Sequence, residues 1–205
     1  MRTIAVVQAR MGSSRLPGKA MLDLDGKPVI QHVLERAKAA RLVDDVIIAT
    51  TWGEEDDVLA AKARELGFSS YAGSVTDVLT RVREAAEFAR ADRVVRLTGD
   101  CPRLDPRVID DVIRALGRSD YASNIVRRTF PKGLDCEALW MDTLKRIDRL
   151  ATSEKARASV TWFAYKERPD LFVIESVEQT PNQSDQNLCV DTAEDLERLR
   201  QLVTT

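Results

Sequence analysis

Arg10, Arg15 and Lys19 fall within one short stretch, A9-R10-M11-G12-S13-S14-R15-L16-P17-G18-K19, that also carries two glycines and two serines. Glycine lets backbone approach a ligand and present its N–H groups, while the cations offset an anion's charge. Such a loop suits a triphosphate better than a neutral ligand, although a solvated basic loop would have the same composition. The spacing is neither G-x-x-x-x-G-K-S/T nor G-x-G-x-x-G, so the P-loop and Rossmann fingerprints both fail. Two further clusters carry carboxylates: Thr98-Gly99-Asp100 after an apolar run, and Asp191-Thr192 before a terminal helical pattern. Mg²⁺ takes hard oxygen ligands, usually one or two carboxylates with water and a nucleotide's phosphates. Asp100 and Asp191 beside the cationic loop therefore fit a magnesium–nucleotide site, the alternatives being a turn aspartate and a helix cap.

A sheet is needed to bring these clusters together. The apolar run Thr3 to Val7 reads as a buried strand, and Asp45 to Thr50, Phe68 to Tyr71 and Arg93 to Leu97 read as three more. Amphipathic helices are expected from about Val29 to Ala40, Glu54 to Leu66 and Val75 to Ala89, with another opening at Pro106. This alternation argues for a mostly parallel sheet with helices on both faces and right-handed crossovers. Ligands of such sheets lie beyond the carboxyl ends of the strands, where the three clusters fall. From Tyr121 the sequence becomes turn-rich and partly extended, which suggests an antiparallel extension. Helices at about 141–150 and 153–165 follow, then a strand at 171–177, a polar loop at 179–187 and a last helix from about Ala193 to Val203.

The 205 residues fit a single α/β domain, 1–205, with no convincing linker or repeat. With 31 basic and 33 acidic residues the net charge is −2, so no global attraction to nucleic acid or anionic membrane is expected. No apolar run is long enough to span a bilayer and no signal peptide is evident, which points to a cytoplasmic protein. Three widely separated cysteines (Cys101, Cys136, Cys189) and one histidine argue against a zinc site and for reduced thiols acting as small buried hydrophobes. His32 falls on the polar side of its helix. Trp52 either flanks the pocket or packs on the surface, and Trp140 and Trp162 read as core or interface residues. The run Glu54 to Asp57 reads as negative charge favouring a helix N-terminus.

Four motifs occur in order along nearly the whole chain: A-R-M-G-S-S-R-L-P-G-K, T-G-D-C-P, F-P-K-G-L-D-C-E and V-D-T-A-E-D-L. The set resembles the cytidylyltransferase superfamily, which includes CMP-KDO and CMP-acylneuraminate synthetases, and most of all the branch of spore-coat polysaccharide biosynthesis protein F. The resemblance implies a three-layer nucleotide-diphosphosugar-transferase-like fold and transfer of CMP from CTP to a sugar acid or related sugar, with Mg²⁺ as cofactor and surface polysaccharide as the destination. It implies that Ala9, Arg10, Gly12, Ser13, Arg15, Lys19, Thr98 and Asp100 contact the nucleotide, with Gly73 and Ser74 near base and ribose. Arg15, Lys19 and Asp100 would carry catalysis, and Asp100 and Asp191 would hold the metal. Asp135 and Glu137 would lie toward the acceptor, within a region of about 121–187 that also serves homodimerisation in relatives.

Three positions depart from the relatives' pattern. Ala158-Ser159 stands where a Glu-His pair is common, Lys132 where an acidic residue is common, and Asn187-Leu188-Cys189 where a bulky or basic residue often precedes V-D-T. All three are expected on the acceptor side. The alternatives to a cytidylyltransferase are a nucleotide-sugar-dependent glycosyltransferase, against which the missing first aspartate of Asp-x-Asp speaks, and a nucleotide-binding homologue with an impaired acceptor site.

Overall fold

A computed structural model describes residues 1–202, so the expected helix end at Val203 lies outside the described residues. In chain order the strands are β1 (Thr3–Gln8), β2 (Asp23–Leu24), β3 (Lys27–Pro28), β4 (Asp45–Thr51), β5 (Ser69–Gly73), β6 (Arg93–Thr98), β7 (Tyr121–Ser123), β8 (Glu137–Trp140) and β9 (Ile174–Ser176). The α-helices are α1 (Val29–Ala39), α2 (Asp57–Glu65), α3 (Val78–Phe88), α4 (Pro106–Leu116), α5 (Met141–Leu150), α6 (Glu154–Ser159) and α7 (Ala193–Gln201).

Seven strands form one sheet in the order β5-β4-β1-β6-β8-β7-β9, in which only β8 runs against the others. The mostly parallel sheet with an antiparallel extension is thus present. β1 is apolar throughout because both its faces are covered. Ala5 and Val7 join a core with Val33 and Leu34 of α1 and Ile109 and Val112 of α4. Ile4 and Val6 join a second core on the opposite face, with Leu79 and Val82 of α3 and Leu144 of α5. Helices on both sides of the sheet make the three layers. β2 and β3 form a small hairpin whose turn, Asp25-Gly26, has positive φ at both residues, the backbone that a two-residue hairpin favours.

Several boundaries differ from expectation for local reasons. The acidic run Glu54–Asp56 forms a 3₁₀ turn, and α2 begins only at Asp57. α3 starts three residues later than the spacing suggested, because Asp77 caps it by accepting from the Thr80 amide while Ser74 Oγ accepts from the Asp77 amide. The helix expected over 153–165 is broken at Val160, whose φ is 56°. The break turns the Thr161 hydroxyl inward to donate to the buried Glu137 carboxylate. The strand expected at 171–177 shortens to β9, preceded by a 3₁₀ turn, Pro169–Leu171.

The loop before β8 is pinned to the segment before α7. The Lys132 amide donates to Gln186 O and the Leu188 amide to Lys132 O, at 3.0 and 2.6 Å. Gly133 sits at this crossing with φ 103°, and a Cβ there would lie 2.6 Å from the carbonyl carbon of Leu188. Gly133→Ala is therefore expected to destabilise the fold by about 2 kcal/mol or more, since backbone strain and a backbone clash act together. An unchanged urea midpoint would refute this.

Candidate active site

The loop after β1 forms one wall of a cleft of about 700 Å³ at the carboxyl end of the sheet. Its fold is set by its own backbone: the amides of Ser13 and Gly18 both donate to Met11 O, and Ser13 Oγ accepts from the Leu16 amide. Asp56, 1% exposed, anchors the loop's start. Its carboxylate accepts from the Met11 amide at 2.6 Å and from the amide and hydroxyl of Thr51 at the end of β4. The acidic run thus does more than favour a helix terminus. One of its members ties the cationic loop to the sheet.

The loop delivers Lys19 between the two carboxylates. Lys19 Nζ lies 2.7 Å from Asp100 Oδ2, 3.0 Å from Asp191 Oδ1 and 2.8 Å from Val190 O. Arg15 Nη2 reaches Asp191 Oδ1 at 2.9 Å, and Lys132 Nζ reaches Asp191 Oδ2 at the same distance. The backbone supports this convergence, because the Val190 amide donates to Asp100 O at 2.8 Å. Burial alone would pull the Lys19 ammonium down, but Asp100 and Asp191 override it and raise its pKa. Burial would push Asp191 up, yet its bonds to Lys132 and Lys19 win and bring it to about 2. Asp100 and Asp191 therefore already converge on one cation with hard oxygen donors, which fits a divalent metal that shares its shell with phosphates.

Of the residues expected at the nucleotide, Ala9, Arg10, Ser13, Arg15, Lys19, Thr98 and Asp100 line this cleft together with Asp191. A cationic glycine-bearing loop and two convergent carboxylates thus meet in one cleft at the strands' carboxyl ends. The family model of cytidylyltransferases matches residues 4–205. The chain belongs to the cytidylyltransferase family. It is accordingly an enzyme of the nucleotidyltransferase class. The spore coat polysaccharide biosynthesis protein SpsF of Bacillus subtilis is 30% identical over 205 residues, covering 96% of this chain and 84% of that protein. A cytidylyltransferase structure from Leptospira borgpetersenii superposes with TM-score 0.94 at 31% identity, over all of this chain and 87% of the other. A CMP-2-keto-3-deoxy-manno-octonic acid synthetase solved with CTP shares the fold, with TM-score 0.76 at 23% identity over all of this chain and 99% of that one.

Other expected members of this cytidylyltransferase's site lie elsewhere. Gly12 is beside Glu55, and Gly73 packs under Arg81, whose Cγ would meet a Cβ there at 2.9 Å. Ser74 serves α3, while the following residues, Val75 to Val78, line the cleft. The structure does not put Asp135 or Glu137 in the cleft lining. Asp135 is held by a two-pronged ion pair with Arg128, at 2.6 and 2.8 Å. Glu137 is 2% exposed and accepts from Arg96, Tyr121 and Thr161. It reaches the cleft only through Arg96, whose Nε donates to Gln8 Oε1 at 3.0 Å, and Gln8 lines the wall.

Of the departures, Ala158 lines the cleft and Lys132 joins the carboxylate cluster through Asp191. Trp52 is 69% exposed and outside the lining, and His32 Nε2 bonds to Leu24 O, which gives it a structural partner. Sequence reasoning missed Gln8, Arg81 and Arg157. Arg157 crosses from α6 to Asp77 and Asp148, fixing the far wall. Arg81 is 3% exposed, and burial together with the nearby Arg10 brings it down to about 10. Helical spacing put Arg81 on α3 beside the apolar face, and only the register of α3 against Gly73 shows that it points to the cleft.

Proposed function

We propose that the chain transfers CMP from CTP to a hydroxyl of a sugar acid or related sugar, with Mg²⁺, releasing pyrophosphate for surface polysaccharide synthesis. The observation that carries this is Lys19 Nζ held between Asp100 and Asp191 beside Arg10 and Arg15. The acceptor oxygen forms a bond to the α-phosphorus as the bond to the β-phosphate oxygen breaks in line. Such transfer depends on positioning and charge neutralisation more than on a protein nucleophile. Arg10, Arg15 and Lys19 orient the triphosphate and offset the charge that grows on the leaving pyrophosphate. Asp100 and Asp191 hold Mg²⁺, which when bound neutralises phosphate charge and helps to activate the hydroxyl. Gly73 and Ser74 support the base-side wall through α3. Asp135 and Glu137 shape the acceptor side from behind it, Glu137 by fixing Arg96 and Gln8. A homodimer and a cytoplasmic address belong to the same reading, the latter supported by the CTP substrate and three free cysteines. Among the described residues, no helix is long and apolar enough to cross a membrane.

A thermal-shift panel of CTP, UTP, ATP, GTP and nucleotide-sugars, with and without Mg²⁺, tests the ligand. CTP with Mg²⁺ at a hundredfold excess over Kd is expected to add roughly 2.7 kcal/mol of stability, and the others less. A response confined to nucleotide-sugars would favour a glycosyltransferase instead. In a pyrophosphate-release assay, Asp100→Ala is expected to lower turnover by about 10²-fold or more. Turnover unaffected by that substitution would remove Asp100 from the site.

A further inference from the structure

Cys101 and Cys189 are 88 residues apart in the chain, yet their sulfurs lie 3.5 Å from each other. Both are buried, at 1% and 5% exposed. Cys101 follows Asp100, and Cys189 precedes Asp191 by two positions, so the backbone bond that joins the two carboxylate segments also brings the thiols together. Asp100 faces both groups. Its Oδ2 is turned to Lys19 at 2.7 Å, while its Oδ1 lies 3.5 Å from Cys101 Sγ. Thr98 Oγ1 adds a further oxygen 3.0 Å from Cys101 Sγ.

We propose that Cys101, Cys189 and Asp100 form a binding site for a thiophilic divalent cation, Zn²⁺ or Cd²⁺, adjacent to the nucleotide's metal site and sharing Asp100 with it. One ligand atom from each of the three residues falls within 4.8 Å of the others. A tetrahedral ion with Zn–S bonds of ~2.3 Å needs its two sulfurs about 3.8 Å apart. The observed 3.5 Å is close to that spacing. A disulfide needs the sulfurs at about 2.05 Å and would require the pair to close by about 1.5 Å. The geometry therefore favours a shared cation over a sulfur–sulfur bond. Charge favours it too. Two thiolates and a carboxylate around a divalent ion leave one excess negative charge, and Lys19 adjoins that cluster. Binding exchanges the two thiol protons for the cation. Asp100, with its side chain 28% exposed to the cleft, supplies the way in.

The two metal sites select by softness. Mg²⁺ prefers the oxygens of Asp100 and Asp191, and a softer ion prefers the sulfurs. Occupation by the softer ion draws Asp100 away from the nucleotide's metal and inhibits turnover. This inhibition rests on the function proposed above, whereas the binding does not.

The test uses the full chain, reduced and stripped of metal, titrated with Cd²⁺ while the ultraviolet thiolate-to-cadmium charge-transfer band is followed. One equivalent is expected to bind, Zn²⁺ is expected to displace it, and Mg²⁺ is not. Cys101→Ser and Cys189→Ser are each expected to weaken Cd²⁺ binding by on the order of 10- to 100-fold, the double variant losing the band. Cys101→Ala with Cys189→Val serves where serine lowers the melting temperature. A wild-type chain with no band, or a band that survives in a folded double variant, overturns the site. So does a reduced protein that loses two hydrogens on mild peroxide treatment yet takes up no Cd²⁺, which would make the pair a disulfide. If binding is as expected and Zn²⁺ leaves pyrophosphate release unchanged, the site stands and the shared role of Asp100 is what fails.

Discussion

Lys19→Met is expected to lower pyrophosphate release by about 10²- to 10³-fold, the range lost when a charge-stabilising donor is removed from a reacting centre. The size follows from what Lys19 Nζ does. It bonds Asp100, Asp191 and Val190 O at once, and its side chain is only 14% exposed. A buried ammonium placed on two carboxylates is held rigidly, so it meets the charge developing on pyrophosphate without reorganising. If Lys19 acts on that developing charge, kcat should fall more than KM rises, because the interaction strengthens in the transition state. An equal loss in the affinity for CTP, with kcat preserved, would instead make Lys19 a binder of the ground state. Arginine should rescue poorly. Its planar fork cannot occupy the point between Asp100 and Asp191 where the compact ammonium sits. The substitution also has a readout independent of chemistry. Without the ammonium the two carboxylates repel each other, so added divalent cation should raise the melting temperature of Lys19→Met by more than it raises that of the unaltered chain.

The parts of this site that follow a local rule were legible before any coordinates. Glycines and cations after an apolar strand marked the loop that lines the cleft, and apolar periodicity gave the inward faces of the helices. The order of β and α patterns gave the parallel sheet. What escaped was decided by long-range register. Asp56 looked like any acid in a charged helix start, and nothing local says that it accepts from Met11 across the sheet. Arg81 lies beside the apolar face of the amphipathic α3 and Gln8 ends the apolar β1, and their place in the cleft wall depends on how the elements pack. Glu137 shows the reverse case. The motif F-P-K-G-L-D-C-E marks it, but the pairing of β8 with β6 puts it opposite Arg96, inside the sheet layer. Lys132 drew notice only as a departure expected on the acceptor side, and the crossing at Gly133 makes it a partner of Asp191, 59 residues away.

Asp191→Asn is expected to lower stability at neutral pH by about 2 kcal/mol, and the deficit should vanish in acid. Three cations meet this one carboxylate, Lys19 and Arg15 on Oδ1 and Lys132 on Oδ2, and its side chain is only 9% exposed. The bonds to Lys132 and Lys19 bring its pKa from the ordinary 3.8 to about 2. A carboxylate with a depressed folded-state pKa contributes its stability above the unfolded value, and that contribution is lost as pH falls through the folded one. The gap between the chain and Asp191→Asn should therefore be full above about pH 4 and closed near pH 2. Chemical unfolding at a series of pH values measures it. A gap that stays constant through acid would mean that the asparagine merely packs badly, with no charge linkage at all. Arg15 is 63% exposed, so solvent screens its share, and the bonds from Lys132 and Lys19 supply the effect. Lys132→Met and Lys19→Met should therefore each close part of the gap, and neither alone should close all of it. The contacts separate the two lysines. Lys19 bonds both Asp100 and Asp191, whereas Lys132 bonds Asp191 alone.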